Sequence, residues 1–220
     1  MFLEIAAFDI TSAEIALNSV ADRIEFCADI SAGGITPNLE ELRYLKEKYR
    51  KPIHVMIRPV GGNFLYNDQE FQQMQHDIAA FSKAHADGFV FGILNENQEI
   101  DVEKNKILVN LANGKPCVFH RAIDRTENIF ESTEKLIELG FKEILTSGGE
   151  NSAMEGKENL KILVEKYSDQ IKILIGGGVR SNNISELKSI TEGNYFHSSA
   201  VLPYEFFANA EEIKKLKSNV

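Results

Sequence analysis

Six ionisable residues stand where strands are expected: Glu4, Glu25, His54, Arg58, His120 and Arg121. Charge inside a sheet is costly unless it is paired or solvated, so these positions point to a wet, polar centre. Two carboxylates, two imidazoles and two guanidiniums brought together can neutralise one another and displace each other's pKa values. Such groupings mark functional sites more often than chance placement does. Glu25 is the candidate general base, with His120 or His54 as its acid. Arg58 and Arg121 are the candidates to hold an anionic group. A salt-bridged polar layer serving structure alone is the competing reading.

A second pattern lies near the C-terminus. Gly176-Gly177-Gly178-Val179-Arg180-Ser181 runs from an apolar strand towards a helix, and His197-Ser198-Ser199 follows on the next strand. Backbone N–H groups of such a turn attract anions, and closed α/β barrels commonly seat phosphate between these two connections. Gly177, Gly178, Ser198 and Ser199 are therefore expected to bind phosphate or another anion, with tight strand-to-helix packing as the structural alternative.

These residues need elements to carry them. Apolar strand-like runs start at Leu3, Arg23, Pro52, Gly88, Pro116, Glu143, Lys172 and Tyr195, and each is followed by a stretch with helical spacing, such as Leu39, Leu42 and Leu45. Thr11 or Ser12 is placed to cap the first helix, and the last is expected over Phe206–Leu216. Eight strand–helix units without a linker predict one (β/α)8 TIM barrel over residues 1–220. An open doubly wound sheet competes, but it carries fewer strands and usually a glycine-rich first loop; here Asp9-Ile10-Thr11 follows the first strand. Within the third strand, period-two alternation puts His54, Met56 and Arg58 on one face.

Composition narrows the partners. The 220 residues are 43% hydrophobic with a formal net charge of −9. An acidic chain without a basic stripe is a poor ligand for nucleic acid or anionic membranes. There is no basic leader and no apolar run of membrane-spanning length, so a cytoplasmic protein is expected. Cys27 and Cys117 form no CxxC pair or metal-type cluster. Cu(I) at Cys27, helped by Met56 or a histidine, is chemically allowed by ligand softness but has no support from spacing. No organic cofactor is expected, and the partner read from the residues is a small anionic molecule.

Several segments together resemble the CutC family of copper homeostasis proteins: Arg23–Ala28 with Gly33–Pro37, His54–Pro59 with Gly61–Tyr66, Phe91-Gly92, Phe119–Ala122, Leu145–Gly148 and Gly176–Val179. The resemblance covers nearly the whole chain. It implies a cytoplasmic TIM barrel, often a homodimer, with copper handled by Cys and His residues and Cys27 as the matching cysteine. The chain departs from the family pattern at Ala6, where a Cys is frequent, and at Val60, where Arg is common. Three functions remain open: Cu(I) handling, acid–base catalysis on a phosphorylated or carboxylated substrate, and non-catalytic anion binding.

Overall fold

The computed structural model describes residues 1–219. Eight parallel strands pair in chain order and close on themselves: β1 (Phe2–Ala7), β2 (Arg23–Phe26), β3 (Ile53–Met56), β4 (Gly88–Phe91), β5 (Cys117–Phe119), β6 (Glu143–Thr146), β7 (Lys172–Ile175) and β8 (Tyr195–Ser198). Helices alternate with them: α1 (Ile10–Leu17), α2 (Leu39–Lys48), α3 (Asp68–Lys83), α4 (Val102–Leu111), α5 (Ile129–Leu139), α6 (Lys157–Tyr167), α7 (Ile184–Thr191) and α8 (Ala210–Ser218). The expected (β/α)8 barrel is the fold.

Two apolar zones follow from the period-two alternation. Outward residues such as Ile5, Phe26, Val55, Phe89 and Phe119 pack under the helices in one continuous core. Inward residues Cys27, Met56, Val90, Val118, Leu145 and Leu174 form a separate plug inside the barrel. The polar residues lie above and below this plug. Closure sets β1 between β2 and β8, with Glu4 opposite both Arg23 and His197.

Several element ends differ from expectation. Asp9, not Thr11 or Ser12, caps α1 by accepting from the Ser12 N–H; an ionised carboxylate also suits the positive helix end. The last helix begins at Ala210 behind the cap Asn209, and Phe206 is left in an exposed loop. β5 ends at Phe119, and Arg121–Arg125 coils into a 3-10 turn. Arg121 thus leaves the strand alternation and swings over the mouth. No helix among the described residues is long and apolar enough to cross a membrane.

Candidate functional site

The C-terminal ends of the strands surround a cavity of about 250 Å³. Glu25, Arg58, His120, Arg121, Gly177, Gly178, Ser198 and Ser199 all line it, together with Arg180 and His197. Eight of the nine residues expected to form the catalytic and anion-binding groups thus meet at one mouth. Phe8, Met56, Phe64 and Leu145 supply its apolar wall.

His54 is not among them. It lines a different, more open hollow at the N-terminal end of the barrel, beside Arg23 and Glu143. Its face was read correctly, but its depth was not. Four residues along a strand rise about 13 Å, which separates His54 from Arg58 by most of the barrel's height. The His54 ring instead stands 3.5 Å from Nη1 of Arg23. Burial, then the Arg23 charge, pulls its pKa down to about 4. Gly88 opposite makes room for it, since a methyl group there would come within 2.5 Å of the ring.

The guanidiniums differ in what they have left to give. Arg58 is buried and spends its terminal nitrogens on backbone carbonyls: Nη1 on Ala32 and Gly34 at 2.9 and 2.8 Å, Nη2 on Gly62 at 3.3 Å. It also stacks on Phe64, 4.8 Å from the ring centroid. Arg58 therefore knits the β2–α2 and β3–α3 loops together through its terminal nitrogens, and its buried Nε–H is left without a partner among the described residues. Arg180 likewise donates to the carbonyls of Val179 and Val201 and the hydroxyls of Ser198 and Ser199. Neither makes an ion pair among the described residues, so no carboxylate sits in direct contact with either charge at the mouth. Arg121 pairs with Asp124 at 2.8 Å and donates through Nη2 to Ser147. Its Nη1 makes no hydrogen bond among the described residues and faces the Gly177 turn.

That turn needs its glycines. Gly177 has φ +95°, and a methyl group there would meet Ser147 at 2.9 Å and the Arg121 guanidinium carbon at 3.2 Å. Ser198 borders the cavity, but its hydroxyl hydrogen goes to the Val179 carbonyl at 2.7 Å. It holds the turn in shape, while Ser199 sits closer to solvent.

Two groups can move protons. Glu25 is 3% exposed; Oε1 accepts the Cys27 thiol at 3.2 Å and Oε2 has no partner. Burial raises its pKa. His197 presents Nδ1 to Glu4 Oε1 at 2.8 Å, and that contact together with the Glu25 charge outweighs burial and raises its pKa. Glu4 is held by Arg23 at 2.5 Å and lowered to about 2, because Arg23 and His197 overcome the cost of burial. His120 behaves otherwise. Burial, then Arg58, lowers it to about 3. Its Nδ1 accepts the Ala122 N–H at 3.3 Å, which leaves the buried Nε2 as an unused donor. At neutral pH it can polarise a ligand oxygen but carries no ionisable proton of its own.

His197 and Arg180 carry more of this site than their place in the sequence suggested. The sequence put His197 on β8, but its pairing with Glu4 depends on barrel closure. Arg180 read as part of a glycine turn. Asp124, just past β5, also proves central: it accepts from Arg121, Thr146, Ser147 and Gly149 and so fixes the β6–α6 loop.

The copper ligands expected at Cys27 were tested on the donor set. Cys27 lies in the inner plug and Cys117 in the outer core, so the two thiols do not meet. Burial and the neighbouring Glu25 hold the Cys27 thiol well above its ordinary pKa, and metal ligation requires the thiolate. Cys117 is pushed up to about 12 by burial. The two cysteines cannot share one Cu(I) ion, and Cys27 has only Met56 as a soft neighbour in the plug.

Comparison with known proteins agrees with the geometry. Residues 1–202 match the model of the CutC family. A CutC family protein of Histophilus somni is 41% identical over 200 residues, 91% of this chain and 82% of that protein. The human copper homeostasis protein cutC homolog is 38% identical over 198 residues, 90% of this chain and 72% of that one. The crystal structure of CutC from Streptococcus agalactiae superposes with a TM-score of 0.84 at 34% identity, covering 90% of this chain and 98% of the other. N-(5'-phosphoribosyl)anthranilate isomerase from Pyrococcus furiosus, with a TM-score of 0.66 at 15% identity, shares the fold alone. By extent of match and by identity, the chain belongs to the CutC family.

Proposed function

We propose that the barrel binds a small anionic organic molecule, phosphorylated or carboxylated, at its C-terminal mouth, and transfers protons on it through Glu25 and His197. One observation carries this reading. In a chain of net charge −9, Arg58 and Arg180 bring two charges without carboxylate partners to one small cavity, above the orphan oxygen of Glu25. Concentrated positive charge in a low-dielectric cleft draws an anion. Arg121 Nη1 and the Gly177–Gly178 turn supply the donors for it. His120 Nε2 is placed to polarise the ligand body, and Glu25 and His197 offer two proton-carrying groups of opposite charge.

Copper handling is what the relatives' names suggest. Against Cu(I) at Cys27 stand its full burial and the absence of a second thiol beside it.

Titration calorimetry with sulfate and with inorganic phosphate tests the anion reading. One site per chain is expected. Arg121→Gln should weaken it about tenfold, the scale of one charge-assisted hydrogen bond. Absence of binding by both ions, or equal affinity in the variant, would sink the proposal.

A further inference from the structure

The two proton-carrying groups on the cavity floor can instead hold a metal ion, which would replace their acid–base role while leaving the anion-binding rim of that reading unchanged. Glu4, Glu25 and His197 each bring one ligand atom to within 4.8 Å of the other two. Closure makes them neighbours: β8 sets His197 opposite Glu4, and β2 sets Glu25 opposite Ala6 of the same strand β1. Glu4 Oε1 stands 2.8 Å from Nδ1 of His197, and His197 makes no other side-chain hydrogen bond among the described residues. A carboxylate on Nδ1 is the usual outer partner of a histidine that ligates metal through Nε2; it fixes the ring and its tautomer.

Glu25 gives an independent second observation. It is 3% exposed, it borders the cavity, and Oε2 lacks any donor. A buried carboxylate oxygen left so is costly. The charge balance points the same way. Glu4, Glu25 and Glu143 are buried together against Arg23, with only the half-exposed Lys172 reaching Glu143 from outside. Three carboxylates face two cations before His197 is counted.

We propose that Glu25 and His197 ligate a divalent cation on the cavity floor, with Glu4 as the outer partner that orients the imidazole. One imidazole nitrogen and a carboxylate oxygen suit borderline Zn²⁺ or the harder Mn²⁺ and are poor ligands for Cu(I). Water and the bound anion complete the sphere. The floor cation and the guanidinium rim then act on one ligand, the metal on its oxygen donors and the rim on its anionic end. A site of this kind needs no cysteine.

Calorimetric titration of the full chain with zinc chloride is the test, run beside His197→Gln, Glu25→Gln and Cys27→Ser after each is shown to melt like the parent. One zinc per chain is expected in the parent and in Cys27→Ser, with affinity reduced about tenfold or more in each of the other two. No zinc binding, equal binding in all four, or binding lost with Cys27→Ser overturns the proposal. If a Gln variant fails to fold, Mn²⁺ broadening of histidine ring signals in the parent decides. His197 broadening before the exposed His76 and His85 supports the site, and broadening confined to those two refutes it. Sulfate binding without a zinc site would leave the anion reading standing.

Discussion

A histidine inside a barrel needs space as well as partners, and two glycines provide it, one opening β4 and one just past its end. Gly88 faces the His54 ring and Gly92 faces His120. A methyl group on Gly92 would stand 2.7 Å from His120 Nδ1 and 2.9 Å from the Phe119 ring. Phe119 is fully buried, so little can yield. Gly92→Ala should therefore destabilise the protein by about 2 kcal/mol, lowering its melting temperature by roughly 6 °C. An unchanged melting curve would show that the ring is looser than its packing implies. At this scale the sequence showed which residue types were present, and it identified Gly92 only as part of a Phe-Gly motif. It did not show that Arg58 spends its terminal N–H groups on loop carbonyls or that Ser198 spends its hydroxyl hydrogen on Val179.

Strands become one object through Arg23. It lies on β2, touches Glu4 of β1 at 2.5 Å and reaches Glu143 of β6 across the barrel at 2.6 Å. Its ring neighbour His54 belongs to β3. The four elements are pinned below the apolar plug by one side chain that is 5% exposed. Removing one partner of such a network leaves the other charges buried and uncompensated. Arg23→Ala should cost about 3–5 kcal/mol in urea unfolding. A loss under about 1 kcal/mol, the value of an exposed pair, would mean that water replaces the guanidinium freely. The element order and most boundaries were legible from apolar periodicity. The ends at Arg121 and Phe206 were not, because a 3-10 turn and an aromatic loop have no period to read.

The whole molecule should weaken in mild acid. His54 and His120 are held neutral with pKa values near 4 and 3, whereas the unfolded chain titrates near 6.5. Between those values the unfolded state binds more protons, so stability rises with pH. Their contribution is present above 6.5 and is lost as pH falls towards 4. Glu4, lowered to about 2, adds a further loss below its unfolded value of 4.5. Glu25 and His197, both raised, act oppositely and soften the slope. At about 1.4 kcal/mol per unit, each of the two neutral histidines withdraws roughly 2 kcal/mol between pH 6.5 and pH 5. The urea midpoint should fall clearly from pH 7 to pH 5, and less so in a His54→Gln, His120→Gln double variant. A flat profile in the parent would contradict the burial of neutral imidazoles.

Sequence alone determined the number and order of the strand–helix units, the shared face of His54, Met56 and Arg58 on the third strand, and the convergence of arginine, glycine and acid–base residues near the strand ends. Those follow from local periodicity and from the fixed polarity of a parallel barrel. The tertiary structure alone decided depth and partnership: that His54 belongs to the opposite end, that Glu4 meets His197, and that Glu25 keeps one oxygen free. Height along a tilted strand and the pairing of the first strand with the last depend on how the barrel closes, and closure is a property of all eight strands at once.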